Sequence, residues 1–249
     1  MIGLLRSLQR TVGPKPLEPT RLLVGDEVLD VTFRRHAQAR RLVLRLNATG
    51  TGVLVTVPRG VSRARALEFT ERSRSWIEDR VRARGGLIHL ADGSALPLRG
   101  IEHDIRHIAG LRGIVTADRD RYYINVPGEL AHLPRRVLDF LKAEARADLT
   151  RATVKYASLM GVKFRRITIR DQRSRWGSCS ASGDLSYSWR LILAPDYVLD
   201  YVAAHEVAHL RHLDHSPRFW RLVLTHCPNA ARAKNWLRLH GQDVHRVVV

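Results

Sequence analysis

The sequence predicts an α+β fold, in which a β-rich first half is followed by a half dominated by helices. Short runs of β-branched and apolar residues, separated by turn residues, fill the first half. Apolar residues at helical spacing dominate after residue 133. A chain of 249 residues is long enough for one large domain or two small ones. We expect a mobile leader at 1–20, which carries three prolines and no clear period, a β-rich region at 21–130 and a second domain at 131–249.

The first half contains strand-forming runs and one helical segment. Turn-forming residues at 47–52 predict a hairpin between the second and third strands of the set below. Ser62 is a suitable helix cap, and apolar residues at helical spacing follow it up to Gly85. The predicted strands are Val28–Phe33, Leu42–Leu46, Val53–Val57, Ala95–Leu98, His103–Ile108, Gly113–Ala117 and Arg121–Val126.

The second half begins with a long amphipathic pattern from Leu133 to Met160, and Gly161 is suited to ending that helix. A small sheet is predicted next, and its last two strands meet at a turn of Gly183 and Asp184. A helix follows Pro195, and two more helices close the fold. The predicted strands are Val162–Ile169 and Leu185–Leu193, and the two closing helices are Pro217–Thr225 and Ala230–Leu239.

The helix after Pro195 carries the motif His-Glu-x-x-His, formed by His205, Glu206 and His209. Residues four positions apart lie on one face of a helix, so both imidazoles can reach one metal ion. Neutral imidazoles bind zinc at about 2.0–2.1 Å. Glu206 projects beside that face, where it can accept a proton from a zinc-bound water. We therefore predict a zinc (Zn2+) site with His205 and His209 as ligands and Glu206 as the catalytic base.

A third ligand is needed, and the candidates that follow are His212 and His215. Three ligands along one straight helix cannot surround an ion, because seven residues of helix rise about 10.5 Å. Ser216 and Pro217 form a helix start, so the chain must turn before them. We expect the first helix to end near His212 and the turn to bring His215 back to the metal. His215 is thus the predicted third ligand.

The composition of the chain limits its compartment and its partners. The formal net charge is +18, and the basic residues are spread along the chain, so we expect non-specific attraction to polyanions at low salt. Cys179 and Cys227 lie far apart and predict no disulfide framework, which is typical of a reducing compartment. The first residues form too short an apolar run for a signal peptide, and no stretch has the length of a membrane span. We expect a cytoplasmic protein without a membrane partner.

The segment 175–178 is predicted to line a substrate cleft. Arg175 would polarise a substrate oxygen, Trp176 would form an aromatic wall, and the glycine that follows allows close backbone approach. The predicted substrate-binding residues are Arg175, Trp176 and Ser178. The alternative for Trp176 is a core position under the metal helix. Cys179 is either an ordinary buried cysteine or a thiolate near the metal.

Three functions are compatible with these patterns. The first is a zinc-dependent hydrolase that cuts peptide bonds, with a peptide or protein substrate and Glu206 as general base. The second uses the same metal to hydrolyse the phosphoanhydride of a nucleoside triphosphate. The third is a nucleic-acid-binding protein in which zinc is structural. Structural zinc sites have four protein ligands, usually with cysteines, and the chain has no Walker-type glycine loop. The metallopeptidase is therefore favoured.

Several segments of the second half carry a family resemblance in their order and spacing: Arg175–Ser180, Trp189–Pro195, Leu199–Val202, His205–Leu210, His215–Ser216 and Phe219–Trp220. Through these segments the second half closely resembles the YgjP-like family of zinc hydrolases, which is related to the SprT and WLM groups. The first half fits more loosely, and the resemblance as a whole covers about residues 21–242. It implies a zincin-like C-terminal domain with His205, His209 and His215 on the metal and Glu206 as base. Relatives with nucleotide-hydrolysing activity keep the nucleotide alternative open.

Overall fold

The structure is a computed structural model, and it describes residues 20–25, 27–47, 52–84, 86–110, 112–172 and 174–248. Within these residues the fold is mixed α+β, with six α-helices and several small sheets, which confirms the predicted class. No helix in this part of the chain is long and apolar enough to cross a membrane. The predicted leader lies outside the described residues, apart from Thr20, which begins a strand.

The chain divides into two compact units, Met1–Ala83 and Arg84–Val249. The four-stranded sheet within residues 95–127 belongs to the larger unit, because its buried residues share one core with the long helix at Leu133–Met160 that follows it. The compact units therefore divide at residue 83, whereas the domain boundary at residue 130 stays a prediction from the sequence.

The first unit is a sheet followed by two helices: β1 (Thr20–Val24), β2 (Glu27–Arg35), β3 (Val43–Leu46), β4 (Gly52–Val57), α1 (Arg63–Arg72) and α2 (Arg74–Arg84). The strand order is β1-β2-β4-β3, and β2 runs parallel to β4. The antiparallel pairing of β3 with β4 confirms the predicted hairpin.

The helical segment of the first unit begins as predicted but contains a break. The Ser62 side chain accepts a hydrogen bond from the backbone N–H of Arg65, and this caps α1. The sequence predicted one continuous helix, whereas the structure has two. The break lies at Ser73, whose hydroxyl donates to the Phe69 carbonyl and so competes with the regular helical hydrogen bonds.

The second unit starts with another sheet and a long helix: β5 (Ile88–His89), β6 (Ala95–Leu98), β7 (Ile101–Ile108), β8 (Thr116–Asp118), β9 (Tyr123–Pro127) and α3 (Leu133–Met160). The order β6-β7-β9-β8, with β7 parallel to β9, repeats the topology of the first sheet. Helix α3 has the predicted bounds, since Gly161 follows it with a φ of 63° that glycine adopts without strain.

The rest of the second unit carries the motif: β10 (Arg166–Arg170), β11 (Gly177–Cys179), β12 (Asp184–Ser188), α4 (Asp196–Ala208), α5 (Pro217–His226), α6 (Ala230–His240) and β13 (Val247–Val248). Strands β10, β12 and β11 form a sheet in that order, with β12 parallel to β10 and antiparallel to β11. Strand β13 pairs with β5.

The predicted strand 185–193 is wrong in its second part, where the chain forms a 3-10 helix at Trp189–Leu193. The Ser188 side chain accepts a hydrogen bond from the Arg190 backbone N–H and starts this helix. The buried Arg190 guanidinium donates to the carbonyls of Val244 and Val247 and pairs with Asp171. A buried cation of this kind needs these partners, and a sequence pattern does not reveal them.

Helix α4 lies at the centre of the second unit and packs against α3, α5, α6 and β11. Its small residues Ala203, Ala204 and Ala208 are fully buried and let these neighbours approach closely. Val198 and Val207 add apolar contacts on the same helix. Neighbours on several sides therefore hold the motif helix in a fixed position.

Candidate metal centre and active site

Three histidines come together where α4 ends. His205 lies in its last turn, His209 directly follows the helix, and His215 lies in the loop before α5. Their ligand nitrogens all lie within 4.8 Å of one another. The Nε2 atoms of His205 and His215 are 3.1 Å apart. Two nitrogens bound tetrahedrally to zinc would be about 3.3 Å apart, so these side chains could hold the ion.

The side chain of His209 is oriented by the backbone of the turn. Its Nδ1 lies 3.0 Å from the His212 carbonyl oxygen, and a carbonyl can only accept, so Nδ1 carries the proton. Nε2 of His209 is then free for a metal, in the manner usual for metal-binding histidines. Helix α4 ends earlier than the predicted position near His212, because the chain turns back here. His212 thus contributes its carbonyl, and its side chain is outside the histidine cluster.

The first turn of α5 packs two aromatic rings against the histidines. Phe219 is fully buried and stacks on His209 at a centroid distance of 4.5 Å and an interplanar angle of 29°. Trp220 stacks on His215 at 5.8 Å and 28°. These contacts restrict the ring orientations and exclude water from one side of the cluster. The sequence did not assign this role to either residue, although their position one turn after His215 is a usable signal.

The surroundings of His205 and His209 favour the neutral form of both side chains. Burial first, and then the neighbouring His209 and His215, lower the pKa of His205 to about 4. Burial also lowers the pKa of His209, against the opposing effect of its hydrogen bond to His212. His205 Nδ1 has no hydrogen-bond partner among the described residues. Because a metal binds only unprotonated imidazole, both residues are ready for a metal near neutral pH.

Glu206 is only 6 % exposed and lies beside His205 in a cavity of about 280 Å³. Burial raises the pKa of its carboxyl to about 7, although Arg175 acts in the opposite direction. A carboxyl that titrates near neutral pH is suited to accepting and returning a proton. The residues that line the cavity are Arg175, Trp176, Gly177, Tyr201, Val202, His205, Glu206 and Leu237.

Gly177 lies directly against Glu206. A Cβ atom on this glycine would be 2.6 Å from Glu206 Cγ and 2.7 Å from its Oε1, closer than side chains approach. The sequence suggested that a glycine here lets the backbone approach a substrate, whereas its close neighbour is the carboxylate itself. Tyr201, one helical turn before His205, also lines the cavity and was not predicted. Its i, i+4 spacing from His205 was a usable signal.

The residues predicted to bind substrate lie on two sides of β11. Arg175 and Trp176 line the cavity with Glu206, whereas Ser178 lines a groove on the other face of the sheet, which Arg175 also borders. Trp176 also stacks on His245 at a ring-centroid distance of 5.2 Å, so it both forms a wall of the cavity and packs against the rest of the unit. Burial raises the pKa of Cys179 to about 11, which makes it a thiol rather than a thiolate at neutral pH.

A buried carboxylate beside three clustered histidines is typical of metal-dependent hydrolases. Residues 40–240 match the family described as YgjP-like, metallopeptidase domain. Because the match covers most of the chain, the chain belongs to the YgjP-like family. No curated protein matches the chain. The family description indicates a metal-dependent hydrolase.

Proposed function

We propose that this protein is a zinc-dependent metallopeptidase in which His205, His209 and His215 hold the zinc ion and Glu206 is the general base. A zincin-like arrangement of the C-terminal half is part of the proposal. The observation that carries it is the position of the Glu206 carboxylate, which is buried beside His205 and closely confined by Gly177.

The chain's own residues have distinct tasks in this mechanism. A bound zinc ion supplies a Lewis acid that polarises the substrate carbonyl and acidifies water. Glu206 accepts a proton from the attacking water and returns it to the leaving amine. Arg175 lines the same cavity, where its guanidinium can donate to a substrate oxygen that becomes negative. Trp176 and Tyr201 form walls that exclude other water.

Two features favour a peptide over the alternatives. Three protein ligands leave a coordination position open, as in catalytic zinc sites, whereas structural sites are closed by a fourth ligand. A triphosphate needs several cations, and among the described residues that line the cavity Arg175 is the single arginine or lysine. A peptide carbonyl needs only one such donor, so the peptidase is the better match.

The proposal is tested by turnover of zinc-loaded wild type and Glu206→Gln on a panel of peptides and nucleoside triphosphates. The variant keeps the size of the side chain but cannot accept a proton, so hydrolysis should fall by about 10²–10⁴-fold or more. Zinc content should stay equal. Glu129→Gln, which changes an exposed glutamate, is the matched control and should behave like wild type. Equal turnover at equal zinc would remove Glu206 from the mechanism, and cleavage of triphosphates alone would replace the peptidase.

A further inference from the structure

The sheet of β10, β12 and β11 has one face in the core and one open polar face. On the open face Thr168 pairs with Ser186, which in turn pairs with Ser178 on β11. A groove of about 480 Å³ lies over these residues, and we call it the open-face groove. Successive residues of a strand point to opposite sides, so the core face carries Ile167, Ile169, Leu185 and Tyr187.

The open-face groove is positively charged. Arg166 and Arg170 occupy the two ends of β10 and Arg175 lies at the border, and all three line the groove. Among its described lining residues Asp184 is the sole acid. Arg165 donates to Asp184 at 2.5 Å and Arg166 at 3.1 Å. The hydrogen bond from Arg165 is the main cause that lowers the pKa of Asp184 to about 2, and the charges of Arg165 and Arg166 add to it. One carboxylate therefore offsets only part of the charge of the three guanidinium groups that line the groove.

Arg175 connects the groove to the candidate active site. It lines both the open-face groove and the cavity that contains Glu206. A chain that enters the cavity can therefore continue past Arg175 onto the sheet. Arg170 forms no ion pair with any residue that the structure describes, so its guanidinium is available to such a chain.

The chemistry of the groove favours an acidic peptide over a nucleic acid. Single-stranded nucleic acids bind largely by stacking bases on aromatic rings, and no described residue that lines the groove is aromatic. Guanidinium groups pair well with carboxylates, often through two hydrogen bonds. Alternate side chains of β10 repeat at about 6.6–6.8 Å, which is also the repeat of alternate side chains in an extended peptide.

We propose that the open-face groove binds an acidic segment of the peptide substrate, with Arg166 and Arg170 as its principal contacts. The enzyme would then prefer substrates with glutamate or aspartate on one side of the scissile bond. The role of this segment as substrate rests on the proposed peptidase function. Binding of an acidic peptide in the groove does not require hydrolysis, so the two can be tested separately.

The binding test uses full-length, zinc-loaded protein with Glu206→Gln, so that a peptide probe stays intact. The probe is a fluorescein-labelled ten-residue peptide of alternating Glu and Ala, compared with the same peptide carrying Gln. Fluorescence anisotropy should report that Arg166→Gln/Arg170→Gln weakens binding of the Glu peptide by about 3- to 10-fold, as expected for two exposed ion pairs. Arg166→Lys/Arg170→Lys keeps the charges and should retain most of the affinity.

Lys142→Gln/Arg146→Gln is the charge-matched control, since both residues are exposed on α3 and lie outside the groove. It should bind the Glu peptide like the parent protein. An equal loss in this control, or equal binding of the Glu and Gln peptides, would overturn the proposal. Tighter binding of a ten-nucleotide oligothymidylate with the same dependence on Arg166 and Arg170 would also overturn it, in favour of nucleic acid.

The outcome for the groove is separable from the outcome for the peptidase. Arginine-dependent binding of the Glu peptide supports the groove even when wild type cleaves no peptide, which would contradict the peptidase alone. If wild type cleaves peptides, Arg166→Gln/Arg170→Gln should raise KM for acidic peptides and leave kcat unchanged. If KM is the same for acidic and neutral peptides in wild type, and the variant does not change it, the groove proposal alone is overturned.

Discussion

The chain contains the same four-stranded arrangement twice, in the orders β1-β2-β4-β3 and β6-β7-β9-β8. In each sheet the two middle strands run parallel and the outer strands pair with them antiparallel. Two short helices follow the first sheet, whereas the 28-residue α3 follows the second and packs against α4. All the candidate site residues belong to the unit of the second sheet.

The two sheets differ in what their first hairpin turn contacts. In the second sheet this turn is Arg99 and Gly100, with φ values of 54° and 77°. The backbone N–H groups of Arg99 and Gly100 donate to the carbonyls of Ile192 and Leu193 at 2.7 and 3.2 Å, directly before α4. The turn at Gly25 in the first sheet is open, since an added Cβ would meet no described atom within 4 Å. The first hairpin turn of the second sheet thus supports the segment before the motif helix, whereas the corresponding turn of the first sheet lies at the surface.

The Arg99 side chain strengthens the contact of the second sheet with the helices. Its guanidinium pairs with Glu144 at 2.6 Å and with Asp148 at 2.8 Å, both on α3. The Arg99 side chain is 13 % exposed and that of Asp148 is 9 % exposed, so this pair is largely desolvated. What distinguishes the second sheet is therefore a turn that joins it to α3 and to the start of α4.

The largest expected effect lies at the histidine cluster. His205→Ala or His209→Ala should abolish a stoichiometry of about one zinc per chain, and His215→Ala should weaken it strongly. His212→Ala should leave it largely intact, because the His212 carbonyl, not its side chain, contacts His209. Zinc is measured by elemental analysis after dialysis. Loss of zinc in His212→Ala together with retention in His215→Ala would reverse the assignment of the third ligand.

The next effect compares the two hairpin turns. Gly100→Ala places a Cβ 2.8 Å from Pro195 Cγ at a positive φ, so we expect the free energy of unfolding to fall by about 2–5 kcal/mol. Gly25→Ala also lies at a positive φ, 58°, but no described atom is within 4 Å of its added Cβ, so it should cost about 1–2 kcal/mol. Denaturant unfolding of both variants makes the comparison. Equal losses of unfolding free energy in the two variants would mean that the close approach of Gly100 to Pro195 adds nothing to the cost.

A smaller effect is expected where β11 meets Glu206. Gly177→Ala has no positive φ to strain, so its cost comes from the close approach to Glu206, and we expect about 1–3 kcal/mol. Gly113→Ala is the matched control, because its added Cβ would lie 3.6 Å from Pro127, an ordinary contact. In a Glu206→Ala background Gly177→Ala should cost much less. If Gly177→Ala lowers the free energy of unfolding as much in that background as in wild type, Glu206 is not the group that the added methyl contacts.

Local signals in the sequence were sufficient for several parts of the molecule. The bounds of α3 follow from its apolar spacing and from Gly161, both of which are local. Membership in the YgjP-like family is confirmed. The helix start at Pro217 requires a turn before it, and the structure brings His215 to the other two histidines after such a turn. These features depend on neighbours close in the chain.

The remaining features depend on contacts between distant segments. The contact of Gly177 with Glu206 and the outward direction of Ser178 follow from the register of β11 against β12, and a shift by one residue would exchange the two faces. The 3-10 helix at Trp189–Leu193 depends on Arg190 reaching the carbonyl groups of Val244 and Val247 near the end of the chain. The joining of Arg99 to α3 and to the segment before α4 is likewise a tertiary effect.

The central claim is that three histidines at the end of α4 form a zinc centre beside Glu206. An anomalous difference map from zinc-loaded crystals, recorded on both sides of the zinc absorption edge, tests it most directly. We expect one strong peak per chain, about 2.0–2.1 Å from a ring nitrogen of each of His205, His209 and His215. A peak bound by His212 or Cys179 in place of one of these, or no peak at the cluster in crystals that contain zinc elsewhere, would contradict the account.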